Sequence, residues 1–393
     1  MLANLNRRIP HMKVLHVYRT YLPDPPGGTQ EAIRQISLAT LPYNVESKIF
    51  ALSPTPIPNK IFRPEGCVIR SRSWFAPASC DFGGGDSFKQ FKELVNWADV
   101  IHYHFPWPFA DILHRLCFVK KPAVMTYHSD IIRQRFLGLF YTPLMKWMLK
   151  SMKAVVATSP IYASSSSALC QYVDSDKLRV IPLGIADYSD AEIDEVKEIE
   201  FIDKHGLRSD PFVLSLGVLR YYKGLHTLVE AASRVQGRIV IAGSGPEELS
   251  LKKLASEKKV NNILFLGQIS NEEKIMLLKH CTLFALPSHM RSEAFGMVLV
   301  EASMFGKPMV TCDIGSGTSY VNSDGETGLV VPPESPNELA IALNTLLCNK
   351  AMASRMGTAA RQRYESLFSS DILGRLYFEL YRDVKNKKAI ESN

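Results

Sequence analysis

The 393-residue chain contains no run of about 18 apolar residues, so no segment is long and apolar enough to cross a bilayer. Cysteine is sparse and unpatterned: the seven, at positions 67, 80, 117, 170, 281, 312 and 348, are odd in number, and no two stand at Cys-x-x-Cys spacing. That argues against a disulfide framework, a thiolate zinc site and a redox pair, and implies a reducing compartment. The residues from Met1 to His11 are polar and basic without an apolar centre. They read as an extension before a more typical opening at Met12, not as a secretory signal. Negative charge is scarce in the first half, where residues 1–185 carry 22 Lys and Arg against 12 Asp and Glu. The remainder carries 24 against 27, so the basic half is the one suited to an acidic surface. No nucleic-acid-binding module is recognisable.

What is present suffices for two cores: 46% of the residues are hydrophobic, and the length exceeds one ordinary domain. Lys13 to Tyr18 reads as a strand. A loop with Pro23, Pro25, Pro26, Gly27 and Gly28 follows, then a helix from Thr29 to Ala39 with Thr29 as its cap. Strand-like runs recur at Ala98 to His102, Ala123 to Tyr127 and Ala154 to Thr158. They return at Phe212 to Leu216, Arg238 to Ala242, Ile263 to Leu266, Leu283 to Leu286 and Met309 to Thr311. Strands alternating with helices imply parallel sheets. The acidic stretch between Ala186 and Asp210 marks a change of composition and reads as a linker. The expected fold class is α/β, with two doubly wound, Rossmann-like domains facing across a cleft. Their expected bounds are 12–185 and 211–370, joined by a linker at 186–210 and followed by a terminal helical region at 371–393.

Chemistry concentrates in Ser292-Glu293-Ala294-Phe295-Gly296-Met297-Val298-Leu299-Val300-Glu301-Ala302. Two carboxylates stand eight positions apart around a Phe-Gly turn that leads into an apolar helix. If the helix begins near Met297, its unpaired N–H groups and positive dipole end suit a diphosphate. Glu293 then lies in the preceding loop and Glu301 roughly 6 Å further along the axis, so the pair can grip hydroxyls on either side of one diphosphate. A loop Glu and a solvated helix Glu would show the same spacing. About seventy residues earlier, Ser215-Leu216-Gly217-Val218-Leu219-Arg220-Tyr221-Tyr222-Lys223-Gly224 reads as a strand end, a glycine turn and a helix start. Arg220 and Lys223 thereby make a cationic turn at the carboxyl edge of a sheet.

Together these segments resemble the retaining glycosyltransferases of family 4, which have the GT-B fold; the resemblance covers Lys13 to about Val384. It implies that Glu293 meets the donor sugar, that Glu301 holds the ribose, and that Arg220 and Lys223 hold the leaving diphosphate. It implies donor contacts from Gly217, from Phe295, Gly296 and Met297 at the helix start, and from Gly243 in Gly243-Ser244-Gly245-Pro246-Glu247. That last segment lacks the third glycine of a dinucleotide fingerprint, which argues against a dehydrogenase. Pro26-Gly27-Gly28 resembles the family's N-terminal glycine loop, although a surface turn would use the same residues. His128 in Thr126-Tyr127-His128-Ser129-Asp130 resembles the active-site histidine beside the donor sugar. His102 and His104 are read with it as residues just past a strand. The terminal helix would, in this family, cross back to the first domain.

The segment Gly315-Ser316-Gly317-Thr318-Ser319-Tyr320-Val321-Asn322 stands where many members have Gly-Gly followed by Glu. It resembles mannosyltransferases of bacterial surface-polysaccharide assembly, of the O-antigen type, that use GDP-mannose. The implied activity is transfer of mannose, with retention, to a lipid-linked oligosaccharide. No metal and no cofactor are expected, because Arg220 and Lys223 supply the counter-charge, and lobe closure excludes water. No carboxylate pair of the glycosidase kind is evident. A UDP-sugar-dependent transferase, an epimerase and a non-catalytic assembly subunit remain alternatives. The expected location is peripheral, on the cytoplasmic face of the plasma membrane, through an anionic lipid surface. Arg133 to Lys153, which interleaves Lys and Arg with Phe136, Phe140, Tyr141 and Trp147, fits an interfacial segment. It equally fits an amphipathic helix packed on its own domain. Because Arg220, Lys223, Glu293 and Glu301 occur together, which a pure scaffold would not need, Glu293→Ala is expected to lower turnover sharply with little unfolding.

Overall fold

The computed structural model describes residues 11–24, 27–77, 80–130, 135–208 and 210–391, with the side chains of 135–140 and 387–391 outside the description. The expectations for the residues before His11, and for Pro25, Pro26, Arg133, Phe136, Leu137, Leu139 and Phe140, lie wholly or in their side chains outside the described residues.

The chain divides into two compact units. The first runs to Thr158 and takes in Ser166–Ala186 and everything from Ser370; the second consists of Ser159–Ser165 and Asp187–Ser369. In the first unit the strands are β1 (Met12–Val17), β2 (Val45–Ser53), β3 (Lys60–Arg63), β4 (Gly66–Phe75), β5 (Phe82–Gly83), β6 (Val100–Phe105), β7 (Ala123–Tyr127), β8 (Ala154–Ala157) and β9 (Leu178–Val180). They form one sheet in the order β3-β4-β2-β1-β6-β7-β8-β9, with β5 paired on β4. Apart from β3 and β5, which are antiparallel to β4, every pairing is parallel.

The second unit holds β10 (Phe212–Leu216), β11 (Arg238–Ala242), β12 (Ile263–Gly267), β13 (Leu283–Leu286), β14 (Met309–Cys312) and β15 (Gly328–Val331). Their order is β12-β11-β10-β13-β14-β15, all parallel. Each sheet therefore grows outward in both directions from its first strand. The reversal falls between β1 and β6 in one unit and between β10 and β13 in the other, which is the doubly wound arrangement. β10, β13 and β14 are buried at every residue. This explains their unbroken apolar sequence, since both faces of a parallel sheet are covered.

Three sequence expectations are corrected. The first helix spans Gly28–Thr40, and its cap position is Gly27 with no side-chain bond, so Thr29 lies inside the helix. The stretch 186–210, read as a linker, is counted with the second unit from Asp187 onward. It contains the helix Glu195–Lys204, whose cap Asp194 accepts from the N–H groups of Val196 and Lys197, and Arg361 pairs with Asp187 at 2.5 Å. His102 and His104 lie inside β6, not past its end. The pattern reading also passed over β2 and β4. In β4 the buried Arg70, paired with Asp24 at 3.2 Å, interrupts the apolar run that would reveal the strand.

The terminal helix Ser370–Glu391 packs in the first unit, where Leu373, Tyr377, Leu380, Tyr381 and Val384 share a core with Met12, Val14, Ile36, Val100 and Val124. Its two tyrosines are tied to the sheet by hydrogen bonds: Tyr381 to His102 at 2.7 Å and Tyr377 to Thr126 at 2.8 Å. Burying each such ring and satisfying its hydroxyl makes this helix part of the domain core. From Tyr141 onward, the Arg135–Ser151 helix also turns inward. Met148 and Leu149 are buried, Trp147 meets His114, and Tyr141 donates to Asp111. Among the described residues, this segment is thus an amphipathic helix packed on its own domain. No helix among the described residues is long and apolar enough to cross a membrane.

Candidate functional site

The switch point of the second sheet places the turn after β10 beside the loop after β13, where doubly wound folds bind ligands. Gly217 and Gly243 close the strands β10 and β11 with φ of 124° and 127°. A Cβ on Gly243 would stand 2.1 Å from the Gly217 carbonyl, so this edge exists only because neither residue has a side chain. The β10 turn then runs through the exposed Arg220, whose guanidinium makes no hydrogen bond or ion pair among the described residues, to Lys223, which is buried.

Lys223 Nζ donates to Glu293 Oε2 at 2.7 Å, and the two side chains are only 10% and 12% exposed. Burial alone would lower the lysine, but the adjacent Glu293 carboxylate outweighs it and the Lys223 pKa is raised. The ammonium stays charged at any ordinary pH. The two residues expected to serve the diphosphate and the sugar are therefore joined to each other. Glu293→Ala would leave a buried ammonium alone, so the expectation of little unfolding does not hold.

After Glu293 the chain passes Phe295, whose ring is buried against Phe368, and Gly296, which takes φ 83° as the helix cap. The helix Met297–Met304 follows, with no side chain capping its first turn. Phe295 is thus an anchor, and only backbone is offered at this end. Glu301, in the middle of the helix, accepts from Lys274 Nζ and from the Tyr188 hydroxyl, each at 2.6 Å. Each carboxylate of the pair is consequently seated on an ammonium, on either side of an uncapped helix start.

The 315–322 segment clamps this loop. Ser316 Oγ donates to the Glu293 carbonyl at 2.7 Å, the Gly317 N–H donates to the Ala294 carbonyl at 2.7 Å, and Arg291 donates to the Gly315 carbonyl. A Cβ on Gly317 would stand 2.6 Å from the Ala294 oxygen, so the glycine is required by the approach. Asn322 is buried, donating to Thr311 Oγ1 and the Leu329 carbonyl, and is structural. Sequence reasoning missed Tyr188, Lys274 and Ser316. Tyr188 and Lys274 stand 113 and 27 residues from Glu301, and no local pattern marks them.

In the first unit, Gly27 and Gly28 begin the helix Gly28–Thr40. A Cβ on Gly28 would meet nothing within 4 Å, and its φ is ordinary. His128 follows β7 and belongs to a buried series. His128 Nε2 bonds His104 Nδ1 at 3.0 Å, and His104 Nε2 bonds His16 Nδ1 at 3.1 Å. Burial drives His128 and His16 down to about 3 and lowers His104 well below its ordinary value. His128 is neutral at physiological pH, able to hydrogen-bond but not to carry charge. The one Asp-x-Asp triplet, Asp174-Ser175-Asp176, lies in the turn before β9, where Asp174 pairs with Lys177.

Comparison with known proteins matches residues 26–187 to the model described as Glycosyltransferase Family 4 and residues 197–363 to Glycosyl transferases group 1. The chain is 37% identical to the O-antigen chain mannosyltransferase C of Escherichia coli, over 96% of this chain and 100% of that one. It is 42% identical to a D-rhamnosyltransferase of Pseudomonas aeruginosa, over 91% and 93% respectively. Among solved structures, HepE of Anabaena, in complex with UDP, superposes with a TM-score of 0.79 at 18% identity, over 95% of this chain and 100% of that one.

Proposed function

Since the chain belongs to the family 4, group 1 glycosyltransferases and has the GT-B fold, we propose that it transfers mannose from GDP-mannose, with retention, onto a lipid-linked oligosaccharide of a bacterial surface polysaccharide. The observation that carries this reading is the carboxylate pair Glu293 and Glu301, each seated on an ammonium beside the uncapped start of the Met297–Met304 helix. In this reading the diphosphate displaces Glu293 as the partner of Lys223 and takes the helix N–H groups. Arg220 adds a second cation from the same turn, and the glycine edge at Gly217 and Gly243 leaves room for the donor. Glu301 accepts from the ribose hydroxyls, and Glu293, released from its ion pair, turns to the sugar. His128 enters as a neutral hydrogen-bonding group.

The acceptor oxygen attacks the anomeric carbon on the face that the diphosphate leaves. The new C–O bond forms as the sugar–phosphate C–O bond breaks, and the acceptor proton passes to the departing phosphate oxygen. Charge growing on that oxygen is stabilised by Lys223, Arg220 and the helix start. These fixed cations take the part of a divalent metal in this reading. Excess chelator is therefore expected to leave the transfer rate unchanged, and a loss of activity restored by added Mg²⁺ or Mn²⁺ would refute metal independence.

The mannose reading is supported by the E. coli relative and by the Gly315–Asn322 segment. A second reading has its own support in the 42% identity to a D-rhamnosyltransferase. D-rhamnose is 6-deoxymannose, so the two donors differ only at C6, and a site for one nearly fits the other. Product formation from GDP-mannose, GDP-D-rhamnose, UDP-glucose and UDP-N-acetylglucosamine with a lipid-linked acceptor separates these readings. A preference for GDP-D-rhamnose replaces mannose by its deoxy analogue; use of a UDP-sugar alone overturns both. Conversion of donor without acceptor would indicate an epimerase. Placement at the cytoplasmic membrane face is part of the proposal and rests on the basic first half and the lipid-linked acceptor.

A further inference from the structure

The second unit brings together a donor set that the sugar-transfer reading does not use. His226 stands in the first turn of the helix Leu225–Ala231, His289 in the loop after β13, and Glu334 in the loop after β15. One nitrogen from each imidazole and one oxygen from the carboxylate lie within 4.8 Å of one another. We propose that His226, His289 and Glu334 form a binding site for a divalent transition-metal ion of the zinc class, independent of the transferase reading.

Three observations support the assignment. The donors are two imidazoles and a carboxylate, the borderline set that suits Zn²⁺ and leaves a fourth position for water. Among the described residues, His289 Nδ1 is buried without a hydrogen-bond partner, which is unfavourable for a polar atom that nothing satisfies. Glu334 adopts φ 54°, a left-handed conformation that an unbranched non-glycine residue takes at a cost and that clusters at ligand sites.

The geometry needs little adjustment. Ligand atoms of a tetrahedral zinc site stand about 3.3 Å apart, and the exposed Glu334 side chain can close the remaining gap by rotation. The His226 and His289 rings cross at 82° with centroids 5.0 Å apart. Tyr221 walls the pair, stacked on His226 and edge-on to His289. The His289 N–H also donates to the Tyr222 carbonyl at 3.1 Å, and His226 follows Lys223 by three positions. An ion here would therefore tie the start of the helix Leu225–Ala231 to the loops after β13 and β15.

Metal-free full-length protein titrated with Co²⁺ is expected to develop the visible absorption of a low-coordinate site at one equivalent, displaced by Zn²⁺, and Zn²⁺ is expected to raise Tm. In Glu334→Ala the affinity should fall by no less than the roughly tenfold that even an outer-sphere partner costs. Glu334→Gly should raise the metal-free Tm by relieving the left-handed residue while abolishing the Zn²⁺ response. His226→Ala should also lose that response, and like the Glu334 variants it alters a side chain that is not fully buried, so the test does not depend on the folding of a His289 variant. No cobalt spectrum, or an equal zinc shift in wild type and Glu334→Ala, overturns the site. None of these readouts involves sugar transfer, so failure here leaves the proposed function standing, and failure of that function leaves this site to be judged alone.

Discussion

Lys223 and Glu293 show how a single contact changes what a substitution means. Their side chains are almost fully buried and 2.7 Å apart, and breaking such a pair from one side costs about 3–5 kcal/mol because the remaining charge is stranded. Glu293→Ala is therefore expected to lower both Tm and transfer. Glu293→Gln keeps a hydrogen-bond acceptor for Lys223, and its smaller loss of Tm should accompany a loss of kcat of about a hundredfold or more. Denaturant unfolding beside initial rates separates the two effects; Glu293→Gln with full activity would remove this residue from the reaction. Gly28 offers the opposite case, since its added methyl meets empty space. Gly28→Ala should leave Tm unchanged or slightly raised, because alanine costs less in a helix. A rise in donor KM would then report a ligand approaching that backbone; unchanged KM would leave Gly28 as an ordinary helix start.

The strand β6 carries two buried histidines inside an otherwise apolar run, flanked by His16 on β1 and His128 after β7. All four must be neutral in the folded state. Their unfolded pKa is 6.5, while burial takes His16 and His128 to about 3 and His102 and His104 well below the ordinary value. For groups depressed in this way the stability is fully present above pH 6.5 and is lost as pH falls towards the folded values. Below 6.5 each histidine removes up to about 1.4 kcal/mol per pH unit. Tm should fall steeply between pH 6 and 4, and His104→Gln should flatten the slope; an unchanged slope would refute the assignment. The element also explains a failure of pattern reading: histidine within a strand looks like a strand end, and its partners come from neighbouring strands and from the terminal helix, far away in sequence.

For the whole molecule, charge is the property visible without any structure. The excess of Lys and Arg over Asp and Glu lies in residues 1–185. If that half meets an anionic bilayer, the protein should sediment with phosphatidylglycerol-containing vesicles at low salt and be released as the Debye length falls to about 3 Å near 1 M salt. Binding that is insensitive to salt, or equal on neutral vesicles, would exclude an electrostatic surface. The described part of the Arg135–Ser151 helix cannot serve as the aromatic anchor while Trp147 and Tyr141 face their own domain.

Local periodicity was enough to find β7, β10, β11 and β13 at their ends, the glycine turn before Arg220 and Lys223, and the helix beginning at Met297, because burial in a parallel sheet and the demands of a tight turn are written in neighbouring residues. The eight-residue spacing of Glu293 and Glu301 was equally legible. The tertiary structure alone decided what each charge meets: Lys223 reaches Glu293 across seventy positions, and Glu301 reaches Lys274 and Tyr188. Those meetings depend on strand order, β10 beside β13 at the reversal of the sheet. Strand order is set by how whole layers pack, so no window of sequence contains it.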